Sequence, residues 1–81
     1  MFEYNICNVY DEDVFEKQCL ALEKHIPNLL KKQFSEDIDG TQLQQYVKQG
    51  EKLRVINDKL VGISIISEFK IERYFDNGGT A

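Results

Sequence analysis

Two short acidic segments concentrate the side chains best able to do chemistry: Asp11, Glu12, Asp13 and Glu16, then Glu36, Asp37 and Asp39. They hold seven of the chain's fourteen carboxylates. Carboxylates can ligate a cation, move protons or attract a basic partner, and spacing decides among these. For calcium, Asp37-Ile38-Asp39-Gly40 is only superficially like an EF-hand loop. Setting Gly40 at the invariant glycine puts Ser35 at the first ligand position and Tyr46 where the bidentate Glu must stand. The pattern therefore predicts no metal site. Asp39-Gly40 satisfies a turn backbone, and one or two acids near residue 13 cap a helix. The carboxylates left over are candidates for a partner-facing surface, since concentrated negative potential speeds capture of a basic protein.

The remaining chemistry is sparse. His25 is the only histidine, placed by its helical pattern in a last turn where exposed carbonyls favour a cation. Nucleophilic catalysis needs a nucleophile beside an oriented base, and no Gly-x-Ser-x-Gly elbow accompanies this single His. The five glycines match neither a phosphate loop nor a dinucleotide fingerprint. Cys7 and Cys19 lack metal-ligand spacing and are read as reduced thiols acting as small apolar residues. These residues predict no enzyme and no cofactor. Tyr4, Tyr10, Tyr46 and Tyr74 offer rigid amphipathic area suited to interfaces or to a core. Tyr46 joins Asp11, Glu12, Asp13, Glu36, Asp37 and Asp39 as the expected partner-binding set. Gln42 and Gln44 share one face if their segment is a strand, either as a solvated face or as adaptable hydrogen-bonding groups.

With 81 residues, 42% hydrophobic and 30% charged, the chain is sized for one small domain. Such a domain buries about 60–65% of its unfolded surface, in one modest core. A net charge of −4, without a basic run, argues against nucleic-acid backbones and anionic membranes and favours a basic protein partner. No apolar run is long enough to span a bilayer. Met1-Phe2-Glu3-Tyr4-Asn5 lacks the basic and apolar regions of a secretory signal, which predicts a cytoplasmic address.

The elements that must position these residues read as α+β. Phe2 to Tyr10 alternates like a strand. Asp13, with Glu16 three residues on, predicts a helix start, and Phe15, Cys19, Leu22 and Ile26 form its apolar stripe before Pro27 ends it. Thr41 to Gln49 reads either as a helix capped by Thr41 or as a strand between Asp39-Gly40 and Gln49-Gly50. With a further turn signal at Asn57-Asp58, the spacing favours an antiparallel meander with strands near 29–37, 41–48, 52–57 and 60–67. Ser67 then caps a short terminal helix that packs Phe69, Ile71, Tyr74 and Phe75. The expected architecture is an N-terminal strand and helix on an antiparallel β-meander with a short C-terminal helix. It forms one domain over 1–76, followed by a flexible tail at 77–81. A homodimer through an exposed edge strand is compatible with this layout.

The order of strand, acidic-capped helix, hairpins turning at Asp39-Gly40 and Asn57-Asp58, and a closing Ser67-Glu68-x(3)-Glu72-x-Tyr74-Phe75 resembles the small acidic immunity proteins that bacteria co-express with contact-dependent or polymorphic toxins. The resemblance implies a cytoplasmic protein that binds a cognate toxin domain, often a basic nuclease, and blocks its active site or substrate path. It assigns no individual residue. A phage-encoded inhibitor of a host defence nuclease, acting as an acidic nucleic-acid mimic, fits the same composition. The neighbouring gene, toxin or phage, separates the two.

Overall fold

The computed structural model describes residues 1–75. The chain forms β1 (Phe2–Cys7), α1 (Glu12–His25), β2 (Leu30–Glu36), β3 (Gln42–Lys48), β4 (Glu51–Asp58), β5 (Gly62–Ser67) and α2 (Glu72–Phe75). The strands build one antiparallel sheet in the order β1-β5-β4-β3-β2. This is the α+β layout expected, with an N-terminal strand and helix, a meander and a short C-terminal helix. The expected tail at 77–81 lies outside the described residues.

Thr41 to Gln49 resolves in favour of the strand. Gln49 and Gly50 have φ of 51° and 84°, and Lys48 pairs with Glu51 across them, so they form a tight two-residue hairpin turn with both central residues left-handed. The strand also separates Leu43 and Val47, on one face, from Gln44 and Tyr46 on the other, whereas a helix would have grouped Leu43, Tyr46 and Val47.

Helix α1 covers one sheet face. Its stripe of Phe15, Cys19, Leu22 and Ile26 is buried, as its spacing predicted, against Leu53, Val55, Ile63 and Ile65 of the central strands. Ile71 is buried with them, and Phe69, Tyr74 and Phe75 pack beside it to close one end. The opposite face bears Leu43, Val47, Ile56 and Ile66, each half-buried, with no described helix over it.

Three local expectations are corrected. The helix cap is Asp11, whose extended backbone (φ −158°) and side chain, accepting from Val14 N at 3.1 Å, start the helix ahead of Asp13. Asn57 is no turn residue: it pairs within β4 at 0% exposure, and the turn falls on Lys59, Leu60 and Val61, with Asp58 Oδ1 accepting from Leu60 N (2.7 Å) and Val61 N (3.1 Å). Ser67 caps no helix. It ends β5, donating its hydroxyl to Phe69 O at 2.6 Å and accepting from Phe69 N at 3.1 Å, and α2 begins only at Glu72.

Gln44 explains an irregularity at the sheet edge. Between Lys31 and Phe34 the β2 register slips against β3. The buried Gln44 amide donates into that gap, to Lys32 O at 3.0 Å and Gln33 O at 3.4 Å, as well as to Gln45 O at 3.1 Å. A solvated glutamine face is therefore not what forms. The side chain holds a bulge open on the outermost strand.

Gly62 sets how closely β1 crosses the β4–β5 hairpin. Its φ is +92°, and a Cβ there would stand 2.2 Å from Cys7 O. Gly50 shares the left-handed backbone, φ +84°, but has nothing within 4 Å of a Cβ. Gly50→Ala is expected to cost about 1–2 kcal/mol, from backbone conformation alone. Gly62→Ala should cost about 1–3 kcal/mol beyond that, because main chain must move. Urea unfolding midpoints check the difference; equal losses at the two positions would contradict it.

Candidate functional site

Antiparallel register gathers three connections at one end of the molecule. Cys7 pairs with Ile63, Asp58 with Gly62, Asn57 with Gln42, and Gln42 with Glu36. The β1–α1 connection and the β2–β3 and β4–β5 hairpins consequently emerge side by side. The two acidic segments, 25 residues apart from Asp11 to Glu36, become neighbours there.

A chain of hydrogen bonds fixes how they meet. Asn57 Oδ1 accepts from Asp11 N at 3.2 Å, and its amide nitrogen donates to Gln42 Oε1 at 3.0 Å. Gln42 Nε2 lies 3.4 Å from Glu12 Oε2, which also accepts from the Tyr10 hydroxyl at 2.9 Å. Lost hydration first, then the hydrogen bond to Glu12 and the charges of Glu12 and Glu36, hold the Tyr10 phenol above its ordinary value. Glu36, at the end of β2, thus shares a local field with Glu12, on the first turn of α1.

Asp11, Glu12, Asp13, Glu36, Asp37 and Asp39 all lie at this end, and Asp58 adds a seventh carboxylate. Some are committed locally: Asp11 to its cap, Asp39 to Thr41 N at 3.1 Å, Asp58 to its turn. Asp13, Glu36 and Asp37 are exposed, and none of the three carboxylates accepts a hydrogen bond or joins an ion pair among the described residues. Lys59 is the cation of these loops. Its ammonium sits 5.2 Å from the centre of the Tyr10 ring, and its stem packs where a Cβ on Gly40 (φ +89°) would be 2.7 Å away. No three His, Cys, Asp or Glu side chains among the described residues converge as a metal cage.

The same three loops hold large apolar side chains in water. Val9 is 63% exposed, Ile38 108%, Leu60 91% and Val61 62%. Composition gave no warning of them. Ile38 hides inside a turn signal, while Leu60 and Val61 read as the start of the last strand, although they stand at its hairpin tip. Grouped exposed apolar residues rimmed by polar ones mark interaction surfaces in soluble proteins.

Tyr46 is not part of this end and is corrected as a contact residue. It is 1% exposed beneath α1, its hydroxyl donating to Glu23 Oε2 at 2.6 Å, while Lys31 Nζ lies 3.6 Å from the same oxygen. Burial, reinforced by the hydrogen bond to Glu23, pushes its phenol far above the ordinary 10.0, and burial likewise raises the Cys19 thiol beside it. His25 stands away from the loops, in the last turn of α1, its ring 5.0 Å from that of Phe75.

Two outcomes follow. Asn57→Leu should lower stability by about 1–3 kcal/mol, because Asp11 N–H and the Gln42 amide lose a buried partner, and should speed hydrogen exchange at the Asp11 amide. Unchanged exchange at Asp11 would contradict the bridging role. Because Tyr46 has a folded-state pKa above its unfolded value of 10.0, the stability it lends is complete below that pH and is lost as pH rises past it. Urea midpoints should therefore fall above about pH 10, and fall less in Tyr46→Phe. The chain matches no family model, and no curated protein and no solved structure is significantly similar to it, so its function must be read from this geometry.

Proposed function

We propose that this chain is a non-enzymatic, cytoplasmic binding domain that captures a basic protein with the loop end of its sheet, acting as an immunity protein that neutralises a cognate toxin domain. The supporting observation is the coincidence of Val9, Ile38, Leu60 and Val61, exposed on three adjacent loops, with seven carboxylates around them. Apolar tips supply the desolvated contacts that dominate interface energy. The acidic surround speeds encounter with a positive surface and repels anionic ones, including lipid headgroups and nucleic acid. A nuclease toxin presents such a positive surface where it binds phosphates, and an acidic ridge seated there would exclude its substrate.

The arrangement favours capture of a protein over imitation of a nucleic acid. A phosphate mimic needs a continuous row of charge, whereas here Ile38 separates Asp37 from Asp39 and Leu60 follows Asp58 closely. Edge-strand dimerisation fits less well, because both edge strands are irregular: β2 has lysines at 31 and 32 beside a bulge, and β1 shifts register between Asn5 and Cys7, devices that discourage strand addition.

Native pull-down with mass-spectrometric identification of the partner, followed by a protection assay in cells expressing it, tests the proposal. The wild-type chain should retain a basic protein and protect the cells. Ile38→Ser combined with Leu60→Ser should weaken the complex by about tenfold or more, mainly through faster dissociation. Glu36→Lys with Asp37→Lys should instead slow association and flatten its salt dependence. Full retention and protection by both double variants would sink the proposal.

A further inference from the structure

Beside the loop end, a groove runs between α1 and the outermost strand. Phe15 of α1 is buried, yet Phe34 of β2, with its ring 6.3 Å away and tilted by 55°, stays 48% exposed. The helix lies over the central strands, so the outer part of that sheet face is left open. Cys19 and the buried Gln44, its amide nitrogen committed to Lys32 O and Gln45 O, also line the groove. Two acids stand along its helical side, Glu12 and Glu16, spaced i, i+4 and so on one face of the helix. Glu16 is exposed, and its carboxylate accepts no hydrogen bond and joins no ion pair among the described residues. Lys31, at the other side, lies 3.6 Å from Glu23.

An exposed aromatic ring and an unpaired carboxylate lining one groove have a specific complement. A leucine side chain would cover Phe34 but leave Glu16 uncompensated, and an anion would be repelled. A lysine ammonium could reach the carboxylate and sit over the ring as a point charge, as Lys59 does over Tyr10, but it has no flat face to cover the ring and is more strongly hydrated. A guanidinium is planar, weakly hydrated and always charged, so it can lie on the ring while it donates to a carboxylate. We infer that this groove is the anchor pocket for an arginine side chain of the basic partner, with the guanidinium on Phe34 and paired to Glu16. The arginine methylenes rest against Phe15 and Cys19. The inference rests on the proposed capture of a basic protein, and Glu12 and Gln42, which line the groove, join it to the loop end.

The test uses the free folded protein and a defined probe. N-acetyl-arginine amide is titrated into labelled protein at low salt while backbone amide shifts are followed, with N-acetyl-lysine amide and N-acetyl-leucine amide as controls. Saturable shifts at Phe15, Glu16, Cys19 and Phe34, stronger for arginine than for either control, are expected. Glu16→Gln should weaken binding roughly threefold, as should Phe34→Leu, which keeps an apolar side chain but removes the ring face. Both should retain the wild-type spectrum away from the groove. Non-saturating shifts, equal shifts from the leucine probe, or binding unchanged in both variants would overturn the inference. The outcomes separate from those of the capture proposal. A groove that ignores arginine, in a protein whose loop variants lose the partner, refutes the pocket alone. An arginine-binding groove in a protein whose loop variants keep the partner refutes the loop surface alone.

Discussion

The amide of Asn57 is the interaction on which the geometry of the loop end depends. It sits at 0% exposure near the end of β4, where a polar group must be satisfied or it destabilises the fold. Its oxygen takes the backbone N–H that precedes α1, and its nitrogen engages Gln42 on the neighbouring strand. One side chain thereby ties the start of the helix to two central strands. The helix cap, the angle at which the β1–α1 connection leaves the sheet, and the position of Glu12 over Gln42 all follow. At the same end, Gly62 lets Cys7 and Asn8 pass closer than any side chain would permit.

From that bridge the candidate surface assembles with little further instruction. Antiparallel pairing puts alternate connections at the same end, so acids distant in sequence must converge once the helix is held down. Tyr10 and Lys59 keep the assembly compact: the phenol donates to Glu12 and the ammonium lies over its ring. Asp11, Asp39 and Asp58 serve the backbone, whereas Asp13, Glu36 and Asp37 face water, as do Ile38 and Leu60 on the loops. Charge and apolar area are thus presented together, in a domain whose core is a single helix on one sheet face.

Much of the fold was legible because it depends on period and punctuation. The stripe Phe15, Cys19, Leu22, Ile26 identified the buried helix face, and Gln49-Gly50 marked a hairpin that tertiary structure left intact. Residues with two plausible uses were harder to read. Asn57 has the composition of a turn residue, and only its pairing with Gln42 reveals a buried bridge. Ser67 looks like a helix cap, yet its hydroxyl is occupied by Phe69. Gln44 reads as surface, but the bulge in β2 needs its amide inside. Within the candidate site the carboxylates were visible one by one. Their adjacency was not, since it follows from strand order, and the apolar tips were hidden by the turn and strand signals around them. Tyr46 balanced between core and surface until Glu23 supplied a partner for its hydroxyl under α1.

The central claim is that the loop end is the binding surface. Hydrogen exchange of the chain, free and bound to the basic protein proposed as its partner, addresses this most directly. The account predicts new protection over residues 8–13, 36–41 and 58–61, with the strand segments 43–47 and 54–56 unchanged on the uncovered sheet face. Protection confined to those strand segments, with the three loops exchanging as in the free protein, would contradict it.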